Sequence, residues 1–176
     1  MPRMIALLRG INVGGHRVKM DRLRELLTAM GLRDVQTILA SGNVLFEPSG
    51  GEPEVVGPAI EACLLEGLGY EVPVLLRSHE EMQRVADRIQ ALPPAPSVYV
   101  AFLPEPADAE LRARLTALCS DMDDFVFGDR EIFWCIQGKI SESPLFGRDF
   151  DRATRGYVLT TRNRNTVDKL AARSRD

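Results

Sequence analysis

No uninterrupted apolar run in this 176-residue chain exceeds six residues, far short of the roughly 20 that a membrane-spanning helix needs. No membrane span is expected. Cysteine is scarce: Cys63, Cys119 and Cys135 are odd in number, widely spaced and without a C-x-x-C pair. That pattern fits reduced, packed thiols and argues against a disulfide framework or a zinc site. The two histidines, His16 and His79, cannot build a metal centre with cysteines so scattered, so neither a metal nor a cofactor is expected. The phosphate-loop patterns G-x-x-x-x-G-K-[ST] and G-x-G-x-x-G are both missing. The first residues carry Arg3 but neither the apolar stretch nor the small-residue cleavage site of a secretory signal, which makes the cytoplasm the expected address. Aromatics make up 6% of the chain, and nine of the eleven lie from Tyr99 onward. No RNP-like string accompanies them, and burial in a sheet explains Tyr99, Phe102, Phe133 and Trp134 better than base stacking does.

What is present is globular in proportion, with 45% hydrophobic and 27% charged residues. The net charge of -3 conceals a segregation. Residues 1–33 hold seven basic side chains (Arg3, Arg9, Arg17, Lys19, Arg22, Arg24, Arg33) against Asp21 and Glu25, a balance of +5. Residues 148–176 hold eight basic against four acidic, or +4, and the middle of the chain carries -12. Both ends are therefore basic. Solvated helix faces account for much of this; if the ends meet, they form a patch that attracts nucleotide or nucleic acid.

Periodicity sets the elements. Arg3 to Leu8, with no polar residue between Met4 and Leu8, reads as a strand covered on both faces. Met20, Leu23, Leu26, Leu27 and Met30 repeat at helical spacing until Gly31. Val35–Leu39 and Val44–Phe46 form a hairpin around Ala40-Ser41-Gly42-Asn43. Pro53 opens a helix whose inward face is Val55, Val56, Ala59, Ile60, Cys63 and Leu64. A strand over Tyr70–Leu76 contains Pro73, which belongs on a sheet edge, and Ser78 with Glu81 forms a capping box for a third helix. The order is β-α-β-β-α-β, the ferredoxin-like split βαβ pattern. Pro93-Pro94-Ala95-Pro96 then breaks the chain, placing one lobe at 1–92 and a second at 97–176.

The second lobe repeats the first. Strands are expected at Val98–Leu103, Phe125–Phe127, Ile132–Ile136 and Tyr157–Thr161, and helices at Pro106–Cys119 and Ser141–Phe150. A last helix is capped by Asn163. Leu76-Arg77-Ser78 with Met82, Val85 and Ala86 is echoed by Thr161-Arg162-Asn163 with Val167, Leu170 and Ala171. The fold expected is α+β, two ferredoxin-like repeats, each followed by an extra helix, built by internal duplication.

Ala6-Leu7-Leu8-Arg9-Gly10-Ile11-Asn12-Val13-Gly14-Gly15, Ser41-Gly42-Asn43-Val44, and Thr161-Arg162-Asn163 with Asn165-Thr166-Val167 resemble the bacterial domain-of-unknown-function family DUF1697 along essentially the whole chain. The resemblance implies a two-lobed α/β fold in a soluble bacterial protein and no particular activity. The chain departs from the family pattern at Arg164, where a tryptophan is expected, and at Pro144, where lysine is common.

Candidate functional residues cluster in the loop after the first strand. Arg9, Gly10, Asn12, Gly14, Gly15, His16 and Arg17 place backbone donors beside positive charge, the combination a phosphate or carboxylate requires. The plainer reading is a turn in which Asn12 bonds its own backbone. In a split βαβ unit this loop and the Ser41-Gly42-Asn43 turn lie at one sheet edge, where together they form a small cleft. A second polar cluster, Arg162, Asn163, Asn165 and Thr166, sits at a helix N-terminus, where capping by Asn163 is the alternative. Three functions follow as expectations. The first is binding of a small anionic or nucleotide-like ligand in the loop. The second is an enzyme of unnamed reaction in the same cleft, for which His16 and Ser41 lack a third group to orient the imidazole. The third is nucleic-acid binding through the basic termini.

Overall fold

The computed structural model describes residues 3–39 and 42–173. In chain order the elements of the first half are β1 (Met4–Leu8), α1 (Met20–Ala29), β2 (Arg33–Ile38), β3 (Asn43–Glu47), α2 (Pro53–Leu68), β4 (Val74–Ser78) and α3 (His79–Ala91). Those of the second are β5 (Ser97–Phe102), α4 (Ala109–Thr116), β6 (Asp123–Phe127), β7 (Glu131–Ile136), α5 (Asp149–Ala153), β8 (Thr160–Asn163) and α6 (Arg164–Arg173). The strands make two four-stranded sheets, β2-β3-β1-β4 and β6-β7-β5-β8, antiparallel throughout. That is the strand order of a split βαβ unit, found twice, each time with a helix after it. By backbone contact the described residues up to Arg84, together with those from Lys169 on, form one compact unit, and Val85–Asp168 form the other.

In the first unit Ala6, Leu8, Val44 and Phe46 pack against Leu23 and Leu27 of α1 and Val56, Ile60 and Leu64 of α2. Ile5 and Leu7, on the opposite face of β1, are equally buried, as an unbroken apolar strand predicts. The inward face of α2 is narrower than the sequence suggests. Val56, Ile60 and Leu64 face the sheet, while Val55 is 65% exposed and Ala59 is also exposed. Pro53 does open α2, and Gly69 closes it at φ 82° with its N–H on Leu65 O. Pro73 lies immediately before β4, which is an edge strand.

In the second unit Trp134 stacks on Phe150 at 4.8 Å and on Phe125 at 5.8 Å. Ile132, Ile136, Leu111 and Leu115 complete that core, and Phe102 and Phe133 are buried as well. Asp123 is buried beneath this cluster: one carboxyl oxygen accepts from Trp134 Nε1 and from Ser143 Oγ, both at 2.7 Å. Its other oxygen has no hydrogen-bond partner. The strand expected from Tyr70 begins only at Val74, after Pro73, and in the second unit three elements shift most from their expected bounds. The segment read as a helix over 141–150 is a 3₁₀ turn at Ile140–Glu142 followed by α5. Between them Pro144 removes a donor, Gly147 sits at φ 85°, and Ser143 is tied to Asp123. The last strand begins at Thr160, because Tyr157 is still in a turn, with its N–H on Thr154 O. α4 begins at Ala109, since Asp108 caps it by accepting from Leu111 N at 2.8 Å.

That cap gives a pH-dependent expectation. The Leu111 N–H and then the Tyr157 hydroxyl hold the Asp108 carboxyl below the usual carboxylate range. A carboxyl lowered by folding stabilises fully above its ordinary pKa, and the contribution disappears as the pH falls from there through the lowered value. Between pH 5 and 2 the melting temperature of Asp108→Asn is therefore expected to fall less than that of the parent protein, because asparagine still caps the helix but carries no charge to lose. Parallel slopes would refute the assignment.

The junctions of strand and helix match in the two units. Arg77 and Arg162 are both buried, and the Nη1 of each donates to the carbonyl of the preceding residue. One residue later, Ser78 Oγ accepts from Glu81 N and Asn163 Oδ1 from Thr166 N. The reciprocal bond of the capping box, Ser78 N to Glu81 Oε2, is present at 2.7 Å. Among the described residues, no helix is long and apolar enough to cross a membrane.

Candidate functional site

Strand register brings several chain segments to one end of the first sheet. Leu7 and Ile38 each pair with Asn43, and Leu8 pairs with Val74. The ends of β1 and β2 and the starts of β3 and β4 therefore share a rim. Leu8 N donates to Gly42 O at 2.8 Å, and Arg9 N donates to Pro73 O at 2.9 Å. Gly42, at φ 80°, approaches so closely that an added Cβ would lie 2.9 Å from Ile11 Cγ2. The loop after β1 and the hairpin turn after β2 are in contact at this rim. Ser41 lies outside the described residues. Asn43 is fully buried, and its Nδ2 donates to Ile38 O, closing the hairpin.

The loop has a defined internal structure. Asn12 Oδ1 accepts from Val18 N at 2.8 Å, fastening the two ends of the segment to each other. Inside that clasp His16 N donates to Val13 O at 3.2 Å, and the two central residues, Gly14 and Gly15, have φ of 64° and 86°. Positive φ at both centres is the signature of a type I′ turn, for which glycine carries no steric penalty. The His16 ring stacks on Tyr70, with centroids 3.7 Å apart and planes 15° from parallel. Tyr70 donates its hydroxyl to Ile11 O at 2.8 Å, and desolvation pushes its pKa up. Asn12 thus serves the backbone, as the plainer sequence reading has it.

The cations of this region fall into two groups. Arg3 pairs with Asp34, Arg22 with Glu25, Arg24 with Asp21 and Arg33 with Glu47. Arg9, Arg17 and Lys19 are exposed and form no ion pair with any described residue. The unpaired cations of the segment all lie in or beside the glycine loop.

The second cluster, in the other unit, is built differently. Asn163 Oδ1 accepts from both the N–H and the hydroxyl of Thr166, at 2.9 Å each, so it caps α6. Arg162 is buried, and its Nη1 donates to Thr160 Oγ1 at 2.6 Å and to Thr161 O at 3.0 Å. Burial pulls its guanidinium down to about 10, which leaves it cationic at neutral pH. Asn165 is exposed in the first turn of the helix.

Among the described residues, no group of three or more His, Cys, Asp or Glu is placed to hold a metal ion. The three cysteines are free thiols whose pKa values are raised, mainly by desolvation. Two residues at the rim, Tyr70 and Pro73, are read from the sequence as parts of an edge strand and not as neighbours of the loop. The signal was available: in an antiparallel sheet the start of β4 must lie beside the end of β1, so the residues entering β4 are neighbours of the loop leaving β1.

Comparison with known proteins gives a family and a fold. The conserved bacterial protein SP0830 from Streptococcus pneumoniae has a solved structure that matches with a TM-score of 0.71 and 24% identity, over 98% of this chain and 98% of that one. At that identity the likeness speaks for the fold. No curated protein matches the chain. The family model described as "Protein of unknown function (DUF1697)" matches residues 1–133, the region that holds both the glycine loop and the hairpin turn, and this chain belongs to that family.

Proposed function

We propose that the protein binds a small anionic ligand at the rim where the Arg9–Arg17 loop meets the Gly42–Asn43 turn. The observation that carries this reading is the distribution of ion pairs. Arg3, Arg22, Arg24 and Arg33 are neutralised by carboxylates, whereas Arg9, Arg17 and Lys19 have no acidic partner among the described residues. Charge left uncompensated beside the open backbone of Gly14 and Gly15 attracts an anion. The loop's clasp and turn are fastened by hydrogen bonds within the chain, which lowers the entropy lost on binding.

Inorganic phosphate, sulfate and small phosphate esters, titrated in a thermal-shift assay at low salt, test the reading. A ligand at a hundred times its Kd adds about 2.7 kcal/mol of stability. In the double variant Arg9→Ala/Arg17→Ala, affinity is expected to fall at least tenfold, or about 1.4 kcal/mol. Unliganded stability should stay close to the parent's, since both side chains are exposed. An undiminished shift in that variant refutes the site. The enzyme reading shares these residues and adds no observation of its own. The nucleic-acid reading is weakened at the C-terminal end, where Arg162 is buried, Arg164 pairs with Asp168 at 3.7 Å and Arg148 lies 3.9 Å from Asp149.

A further inference from the structure

We propose that the outward face of His16 is a stacking platform for a nucleobase, so that the anion held by the loop is the phosphate of a free nucleotide. This rests on the anion site proposed above and goes further by naming the class of ligand. Three observations carry it. The His16 ring is stacked face to face on Tyr70, with centroids 3.7 Å apart, and its residue is nonetheless exposed. The stack is secured from both sides: the glycine turn fixes the His16 backbone to Val13 O, and the Tyr70 hydroxyl is fixed to Ile11 O. The aromatic involved is a scarce one, since only Phe46 and Tyr70 occur before Tyr99, and Phe46 is in the core. An exposed ring backed by a second one presents a flat π face whose orientation is already set. A planar heterocycle covers such a face with little loss of side-chain freedom. Arg9 and Arg17 in the same loop, exposed and without an ion pair among the described residues, supply charge for the phosphate attached to it. Inorganic phosphate or a sugar phosphate would use the cations and leave the platform uncovered.

Calorimetry with adenosine, guanosine, cytidine and uridine 5′-monophosphates, ribose 5-phosphate and inorganic phosphate separates the two claims. At least one nucleotide is expected to bind roughly tenfold tighter than ribose 5-phosphate, the scale of one base stacked on one aromatic ring. His16→Ala should abolish that preference, bringing nucleotide and ribose 5-phosphate affinities together, and His16→Phe should preserve it. Thermal melts of both variants check that the fold survives. If nucleotides and ribose 5-phosphate bind equally to the parent protein, the platform is refuted and the anion site stands. If none of the probes binds, both fall. A single-stranded oligonucleotide binding far tighter than any mononucleotide, with a steep salt dependence, also overturns the proposal, because the phosphate backbone would then be what is recognised.

Discussion

Asp123→Ala is expected to lower the unfolding free energy by about 2–5 kcal/mol, a large share of the roughly 5–15 kcal/mol typical of a domain. The carboxyl oxygen that would be removed accepts from two buried donors, the Trp134 indole and the Ser143 hydroxyl, each at 2.7 Å. A buried donor left without an acceptor costs about 1–3 kcal/mol, and alanine also leaves a gap beneath the aromatic stack of Trp134, Phe125 and Phe150. Asp123→Asn is the control. It keeps the accepting oxygen and the side chain's shape and adds only an amide where the other carboxyl oxygen already lacks a partner, so its loss should be clearly smaller than alanine's. Trp134 is the only tryptophan in the chain, and its fluorescence in a urea titration reports the affected core directly. Equal losses in the two variants would show that the side-chain shape and accepting oxygen kept by asparagine contribute nothing, and that the carboxylate charge is what the two donors require.

Gly42→Ala should destabilise by about 2–4 kcal/mol, because two separate penalties meet at one residue. Its φ of 80° is a conformation in which a side chain is strained. An added Cβ would also stand 2.9 Å from Ile11 Cγ2, 3.0 Å from Leu8 Cβ and 3.3 Å from Leu8 O, of which the last two belong to β1 and cannot swing aside. Gly14→Ala isolates the first penalty. At φ 64° with nothing within 4 Å of the new Cβ, it should cost only about 1 kcal/mol. A denaturant midpoint for Gly42→Ala no lower than that for Gly14→Ala would mean that the hairpin turn does not press on the loop, and the rim would lose its structural basis. The same variant should weaken anion binding, since Leu8, Arg9 and Ile11 would have to move.

The α+β architecture was legible in the residues because the signals that mark it are short in range. Met4–Leu8, the α1 repeat ending at Gly31, Pro53 at the head of α2 and the Ser78–Glu81 box all stand where periodicity and capping chemistry put them. Legibility failed between residues 141 and 160, where Ser143 answers to Asp123, twenty residues away, and Tyr157 to Asp108, forty-nine away. Those long-range bonds override weak local preference, as tertiary context commonly does. At the rim, topology foretold that the Arg9–Arg17 loop and the Gly42 turn would adjoin, yet Tyr70 beneath His16 escaped notice, because an aromatic at a strand's approach reads equally well as core.

By itself, then, the amino-acid order determined most of the segments that curl and extend, the starts of the helices at Pro53, Ser78 and Asn163, and that cationic side chains crowd the first glycine loop. Only the folded chain decided which of those cations carboxylates neutralise, and that the ring of His16 rests on Tyr70. Periodicity and capping act over a few neighbouring residues, whereas ion pairs and ring stacks depend on strand register set across tens of residues, and hydrophobic burial of the whole sheet is what fixes that register.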